Sequence, residues 1–260
     1  CARSPKENGF AWVLDRMLAG VETGPDDITA MGEGGLLMEI GTRPQPREVK
    51  RHSPASRIAV IILAAGKSSR MGGPNKLLAS LNGKSLVRHA GEAAAAANPS
   101  QALLVTGHLG EQVSAEVAGL DIVPVFNPDF EDGMASSIRA GMKALAADTD
   151  AVIILLGDMP MITAADISTM IETYRDNPDG LIIAATADGK RGNPVLWDRR
   201  FFHELATLRG DIGARHIISE NPGFVVEVEI GPSARLDLDT PEALKDAGGT
   251  FADQRDADKS

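Results

Sequence analysis

The residues Ile61-Ile62-Leu63-Ala64-Ala65-Gly66-Lys67-Ser68-Ser69-Arg70-Met71-Gly72-Gly73-Pro74-Asn75-Lys76 run from an apolar stretch into a loop of small residues. That loop holds three cations, Lys67, Arg70 and Lys76, and no acid. Small side chains let a ligand approach the backbone closely, and successive N–H groups can cradle oxyanions. The chemistry this spacing allows is the binding of a phosphate chain at the end of a buried strand. Two better-known phosphate loops are excluded. Gly72 falls six residues after Gly66 and is followed by Gly73 rather than lysine, so this is no P-loop. The dinucleotide fingerprint fails because no third glycine has the required spacing. The competing reading is a surface turn with scattered charges.

A second candidate is Val152-Ile153-Ile154-Leu155-Leu156-Gly157-Asp158-Met159-Pro160, where an apolar run delivers one carboxylate. Hard oxygen ligands of this kind hold divalent cations that are shared with substrate phosphates. A helix cap would also explain an acid here, but Thr163 is already placed to cap the next helix. The third candidate is Leu236-Asp237-Leu238-Asp239-Thr240-Pro241-Glu242. In an extended chain Asp237 and Asp239 fall on one side, so one of them could complete a magnesium site with Asp158. Thr240-Pro241 also reads as a helix start. In Asn127-Pro128-Asp129-Phe130-Glu131-Asp132-Gly133-Met134-Ala135-Ser136-Ser137-Ile138-Arg139, Ser136 and Ser137 fall in the first turn of a helix, where unpaired N–H groups attract anions or base carbonyls. A plain loop and cap fits those residues equally well.

These residues need a scaffold that brings strand ends together. From Arg57 onward apolar strand signals alternate with helical ones, which predicts an α/β fold with a largely parallel sheet and helices on both faces. Strands are expected at Ile58–Leu63, Ala102–Thr106, Ile122–Asn127, Ala151–Leu156, Leu181–Thr186, Pro194–Trp197 and Phe224–Glu229. Helices are expected at Ser85–Ala97, Glu111–Ala118, Met134–Ala147, Ala164–Asp176, Arg199–Leu208, Ile212–Ser219 and Pro241–Ala247. Asp188-Gly189 predicts a hairpin, so one strand should run antiparallel. In open sheets of this type ligands bind outside the carboxyl ends of the strands, where Asp158 and the cationic loop both fall.

The front of the chain differs. Phe10, Val13, Leu14, Met17 and Leu18 give one apolar helical stripe, and Thr42 to Ser56 holds Pro44, Pro46 and Pro54 among basic residues. One helix cannot enclose a core. The organisation expected is a remnant at 1–41, a linker at 42–56, a domain at 57–247 and a polar, disordered tail at 248–260.

Composition sets outer limits. The 260 residues suffice for one domain with an appendage, and the formal net charge of −10 argues against non-specific nucleic-acid binding. A single cysteine, Cys1, precludes an internal disulfide and a cysteine zinc site. No apolar run reaches the roughly 18 residues of a membrane span. The low cysteine use fits a cytoplasmic protein, and with Cys rather than Met first and no signal peptide following, the chain reads as a piece of a longer protein. His52, His89, His203 and His216 lack metal-ligand spacing, and His108 reads as a packed or solvated side chain.

Leu-Ala-Ala-Gly-x-Ser-x-Arg-Met-Gly with Lys76, then Gly-Met-x-Ser-Ser-Ile-Arg, Gly-Asp-Met-Pro, Gly-Asn-Pro and Asp-x-Asp-Thr-Pro-Glu together resemble the molybdenum cofactor nucleotidyltransferases, and among them the cytidylyltransferases. The resemblance runs from about Arg57 to Leu244. It implies a Rossmann-like three-layer α/β/α nucleotidyltransferase fold. It also implies transfer of CMP from CTP to molybdopterin, with pyrophosphate released and Mg2+, or Mn2+, as cofactor. Carried over, Leu63, Ala64, Ala65 and Gly66 would line the nucleotide, with Gly133, Ser136 and Ser137 near its base. Arg70 and Lys76 would hold its phosphates, and Asp158 would bind the metal, helped by Asp239 or alternatively Asp237. Asn193 and the Gly210–Arg215 loop with Asp211 would face the pterin. Ala65 stands where guanylyl-transferring relatives tend to carry glycine, which favours cytosine. A molybdoenzyme or its chaperone would receive the product. Ser4-Pro5-Lys6-Glu7-Asn8-Gly9 and Gly34-Gly35-Leu36-Leu37-Met38-Glu39-Ile40 resemble the carboxyl end of a molybdopterin-binding domain. Guanylyl transfer, cytidylyl transfer to a sugar or polyol phosphate, and a non-catalytic molybdopterin carrier are the alternatives.

Overall fold

Strand β1, Ile58–Ala64, shows how the apolar runs are used. Ile58, Val60, Ile62 and Ala64 enter one core cluster, while Ala59, Ile61 and Ala65 enter another. Alternate side chains therefore point into two separate cores, one on each face of the sheet. The same division holds for β4, Gln101–Thr106, and β6, Ala151–Leu156. Strands buried on both faces read as continuous hydrophobic runs, which is why the sequence announces them.

The computed structural model describes residues 52–53, 55–67, 75–210, 213–236 and 241–251. Among them a seven-stranded sheet has the order β5-β4-β1-β6-β8-β7-β9. Here β5 is Val123–Phe126, β7 Ile182–Ala187, β8 Lys190–Asp198 and β9 Val225–Glu229. Only β8 runs against its neighbours, pairing antiparallel with both β6 and β7, so the hairpin expected at Asp188-Gly189 is present. Both turn residues have positive φ, +50° and +68°. One face is covered by α1, Leu86–Ala96, α2, Gly110–Glu116, and α4, Ala164–Asp176; the other by α3, Met134–Lys143, α5, Phe202–Ala206, and α6, Arg215–Glu220. The three-layer α/β/α arrangement is thus as the sequence implies. None of the described helices is long and apolar enough to cross a membrane.

Chain order explains the site's position. From β1 the chain moves outward through β4 to β5, then returns across β1 to β6 on its other side. The connections leaving β1 and β6 therefore diverge, the arrangement in which open α/β sheets form a crevice at the carboxyl ends of their strands.

Three local features depart from the sequence reading. A small hairpin, β2 Ser80–Leu81 and β3 Lys84–Ser85, turns at Asn82-Gly83. Within the tail expected from Gly248, Thr250 pairs backbone-to-backbone with Ser80, beside Leu244 of α7 (Pro241–Asp246). The expected linker also ends earlier than Ser56. His52 stacks on Tyr174 of α4 with ring centroids 3.8 Å apart. Arg57 N donates to the side chain of Asp150, the residue that leads into β6, at 2.9 Å. The remnant expected at 1–41, most of the linker and the tail beyond Phe251 lie outside the described residues.

His52 also faces Asp198, whose Oδ2 lies 3.8 Å from its Nδ1 and accepts from the Tyr174 hydroxyl at 2.7 Å. Burial holds the His52 pKa below its ordinary value of 6.5, and Arg200 adds to that, while Asp198 and Asp150 oppose it. The unfolded chain therefore binds the proton more tightly than the folded one. Stability from the neutral ring is present above the unfolded pKa and is lost as pH falls through it towards the folded value. Urea unfolding of wild type and His52→Gln should show the wild type losing more stability between about pH 7.5 and 5.5; parallel losses would contradict this.

Candidate active site at the β1–β6 crevice

Lys76 opens a short 3-10 turn, Lys76–Leu78, fixed by two contacts. The Asn75 side chain accepts from Leu77 N at 3.0 Å, and Leu77 is buried in the core beside β1. Asp158 is held from the other direction. Gly157 N donates to Leu63 O at 2.9 Å, extending the β1–β6 contact beyond the strands. A Cβ on Gly157 would stand 3.1 Å from that same oxygen, so the close approach leaves little room for a side chain. Met159 and Ile162 then anchor the chain in the core.

These two supports bring together groups 82 residues apart: Lys76 Nζ donates to Asp158 Oδ2. Both side chains are largely buried, at 16% and 13% exposure, so water screens the pair only weakly. The second carboxylate oxygen, Oδ1, is buried without a hydrogen-bond partner. An uncompensated buried anionic oxygen is costly, and a cation would satisfy it. A helix cap does not explain Asp158, because Thr163 forms a reciprocal capping box with Asp166.

The crevice has a second wall. Gly107, at the end of β4, sits where a Cβ would come within 2.5 Å of Phe130 Cβ and 2.9 Å of Ala65 O. The ends of β1 and β4 and the β5–α3 loop therefore meet at one glycine. Lys67 reaches across the same opening to Glu131, with its ammonium 5.7 Å from the Phe130 ring centre. That pair holds the Glu131 carboxyl below the usual range, chiefly through the Lys67 hydrogen bond. One cation of the loop is thus spent on an exposed ion pair, which the sequence reading did not foresee.

The remaining expectations divide. Leu63, Ala64, Ala65 and Gly66 lie at the carboxyl end of β1, beside Gly157 and Gly107. Gly133 caps α3 with φ +89°, a conformation that favours glycine. Ser136 and Ser137 are buried, and Asn127 Nδ2 donates to their hydroxyls at 2.8 and 3.2 Å. Their side chains tie α3 to the end of β5. Asn193 lies in β8, two residues before Val195, where the pairing of that strand with Ile154 of β6 begins. Next to it, Gly192 packs on the backbone of Ala234, where a Cβ would stand 1.9 Å from Ala234 O. Glu229 steadies that segment, accepting from Thr186 Oγ1 at 2.8 Å and from Gly231 N at 3.2 Å. Arg70, Asp211, Asp237 and Asp239 lie outside the described residues. Among the described residues no group of three or more His, Cys, Asp or Glu side chains could enclose a metal. Gly107, Asn127 and Glu131 are the positions that sequence reasoning undervalued; Asn127 and Glu131 stood in the stretch read for Ser136 and Ser137, and Gly107 directly follows an expected strand.

Residues 60–224 match the MobA-like NTP transferase domain. This chain belongs to that family. The domain is therefore a nucleotidyltransferase by family, on a Rossmann-like sheet. Among curated proteins it is 34% identical over 136 residues to the bifunctional protein GlmU of Francisella philomiragia, a match covering 52% of this chain and 29% of that protein. Rv0371c from Mycobacterium tuberculosis is 26% identical with a TM-score of 0.65, covering 75% of this chain and 98% of that one. A structure of Rv0371c in complex with manganese superposes at 24% identity and TM-score 0.62, covering 74% and 98%. CMP:2-keto-3-deoxy-manno-octonic acid synthetase complexed with CTP shares the fold, at 18% identity, TM-score 0.58 and coverage of 74% and 96%.

Removing one partner from the Lys76–Asp158 pair leaves a buried charge unmatched. Lys76→Met should therefore cost about 1–3 kcal/mol in chemical denaturation, and adding Asp158→Asn should recover part of that loss. Strict additivity of the two changes would show that the pair carries no coupling. Gly107→Ala should cost on the order of 1–3 kcal/mol by overpacking; an unchanged denaturation midpoint would contradict the closeness of the Phe130 and Ala65 contacts.

Proposed function

We propose that this domain transfers CMP from CTP to molybdopterin and releases pyrophosphate, using a divalent cation, Mg2+ or Mn2+. The observation that carries the reading is the juxtaposition of Lys76 with Asp158 at the carboxyl edge, with Asp158 Oδ1 left unsatisfied. The donor set fits a hard cation: one buried carboxylate oxygen is uncommitted at the crevice, and substrate phosphates would complete the coordination. When bound, that cation would neutralise charge accumulating on the triphosphate and on the departing pyrophosphate. Asp158 would hold it, helped by Asp239 or Asp237. Manganese in the Rv0371c complex belongs to the same class of ion, and CTP in the octonic acid synthetase complex is the nucleotide proposed here.

The chain's own residues supply position and charge. Lys76, released from Asp158 as the cation binds, would turn its ammonium to the phosphates, with Arg70 beside it. The backbone of Leu63, Ala64, Ala65 and Gly66 would face the nucleotide, with Gly133 and the first turn of α3 at Ser136 and Ser137 near its base. Asn193 and the Gly210–Arg215 loop with Asp211 would face the acceptor. Because the acceptor phosphate is itself the nucleophile, no protein nucleophile is required. The front segment 1–41 belongs to the same proposal, as the remnant of a molybdopterin-binding domain, and a molybdoenzyme or its chaperone would take the product.

Two measurements test this. Pyrophosphate release should be fastest with CTP and molybdopterin among pairings of CTP, GTP and ATP with molybdopterin and with sugar or polyol phosphates. Faster release with GTP or with a sugar phosphate would move the assignment to that alternative. Asp158→Asn should lower turnover by at least about a hundredfold with the circular dichroism spectrum unchanged, whereas wild-type turnover would refute the metal role.

A further inference from the structure

The loop that follows α5 is hydrogen-bonded to α3 at two points and lies close against it at a third. Arg139 Nη1 donates to Leu208 O at 2.6 Å. Ala135 N donates to Gly210 O at 3.4 Å. Gly213, with φ +61°, lies so close to α3 that a Cβ there would stand 3.3 Å from Met134 Sδ. Elsewhere on the same helix, Ser136 and Ser137 hold Asn127 at the end of β5. Thus α3 connects the carboxyl edge of the sheet to this loop.

The Arg139 contact differs in kind from the other two. Its guanidinium grips a carbonyl whose own side chain, Leu208, is buried in the core, while Arg209 and Gly210 are exposed. Arg139, Asp132 and residues 206–210 line a concavity of about 700 Å3. Among the described residues no carboxylate lies within ion-pair distance of Arg139. The Leu208 carbonyl is therefore the contact that orients it, and a charge-assisted bond of this geometry restrains one loop conformation at modest entropic cost.

We infer that Arg139 is a positioning residue for acceptor recognition: by holding Leu208 O it fixes the 206–210 wall and the start of the loop that leads to Asp211. It acts through the loop and touches neither nucleotide nor acceptor. The inference rests on the proposed function only in taking that loop as the acceptor side.

The test compares wild type with Arg139→Met, which keeps the bulk and loses the donors, and Arg139→Lys, which keeps one charged donor. In Arg139→Met the acceptor KM should rise about tenfold, the loss of one hydrogen bond made by a charged group. The nucleotide KM and kcat should stay within about twofold, and Arg139→Lys should restore part of the acceptor KM. Equal rises in both KM values, or no rise in the acceptor KM, would overturn the inference. Hydrogen exchange provides a readout independent of turnover. Amides of residues 206–210 should exchange faster in Arg139→Met, with the β-sheet amides unchanged and Arg139→Lys intermediate. Should wild type turn over no molybdopterin, the proposed acceptor fails, and exchange still decides the positioning role. Unchanged exchange in 206–210 would overturn it, as would a uniform rise across the sheet.

Discussion

An ion pair between residues remote in sequence, set where two parallel strands end, is the constraint around which the described structure is arranged. Lys76 and Asp158 each reach it from a rigid support: a capped 3-10 turn on one side, and a strand end stitched to β1 through Gly157 on the other. In a crevice of low dielectric such a pair is stable only with close geometry and few competing waters. It also stores a choice. The carboxylate has one oxygen committed to lysine and one uncommitted. On the proposed function, a cation arriving with a triphosphate would offer both groups a better-matched partner, and the pair would open to receive it.

The surrounding packing protects this geometry more than it contributes chemistry. Gly107 is needed because Phe130 and Ala65 O come too close for a side chain there, and at Gly157 the approach of Leu63 O leaves little room for one. Lys67 and Glu131 bridge the opening at its exposed rim, where solvent and salt weaken an ion pair. The buried pair and the exposed one therefore answer to different conditions: ionic strength loosens the rim long before it reaches the crevice.

Much of the scaffold was readable from residue order, because strands buried on both faces cannot hide their apolar runs. The reversed strand was visible through Asp188-Gly189. By contrast, the β2–β3 hairpin escaped notice although Asn82-Gly83 is a strong turn signal, since strands of two residues carry no periodicity. Asp158 stood out as a lone acid after a buried run. Its pairing with Lys76 did not, because no local pattern encodes a contact across 82 residues. Ser136 and Ser137 illustrate a different limit. Their place in a first helical turn was legible, but whether the hydroxyls face a ligand or Asn127 depends on where β5 ends in space. His52 stacks on Tyr174 and faces Asp198, and nothing in the basic, proline-rich run around it announces those contacts.

What the family membership adds is a reaction class, and the proposed function assigns that reaction to the crevice. The link between them is the claim that Asp158 exchanges lysine for metal when nucleotide binds. A crystal structure with CTP and Mn2+ tests that most directly, through the anomalous signal of manganese. The account predicts a manganese peak at coordinating distance from Asp158 Oδ1, with Lys76 Nζ moved to a phosphate oxygen. Manganese and CTP bound elsewhere, with the Lys76–Asp158 pair intact, would contradict it.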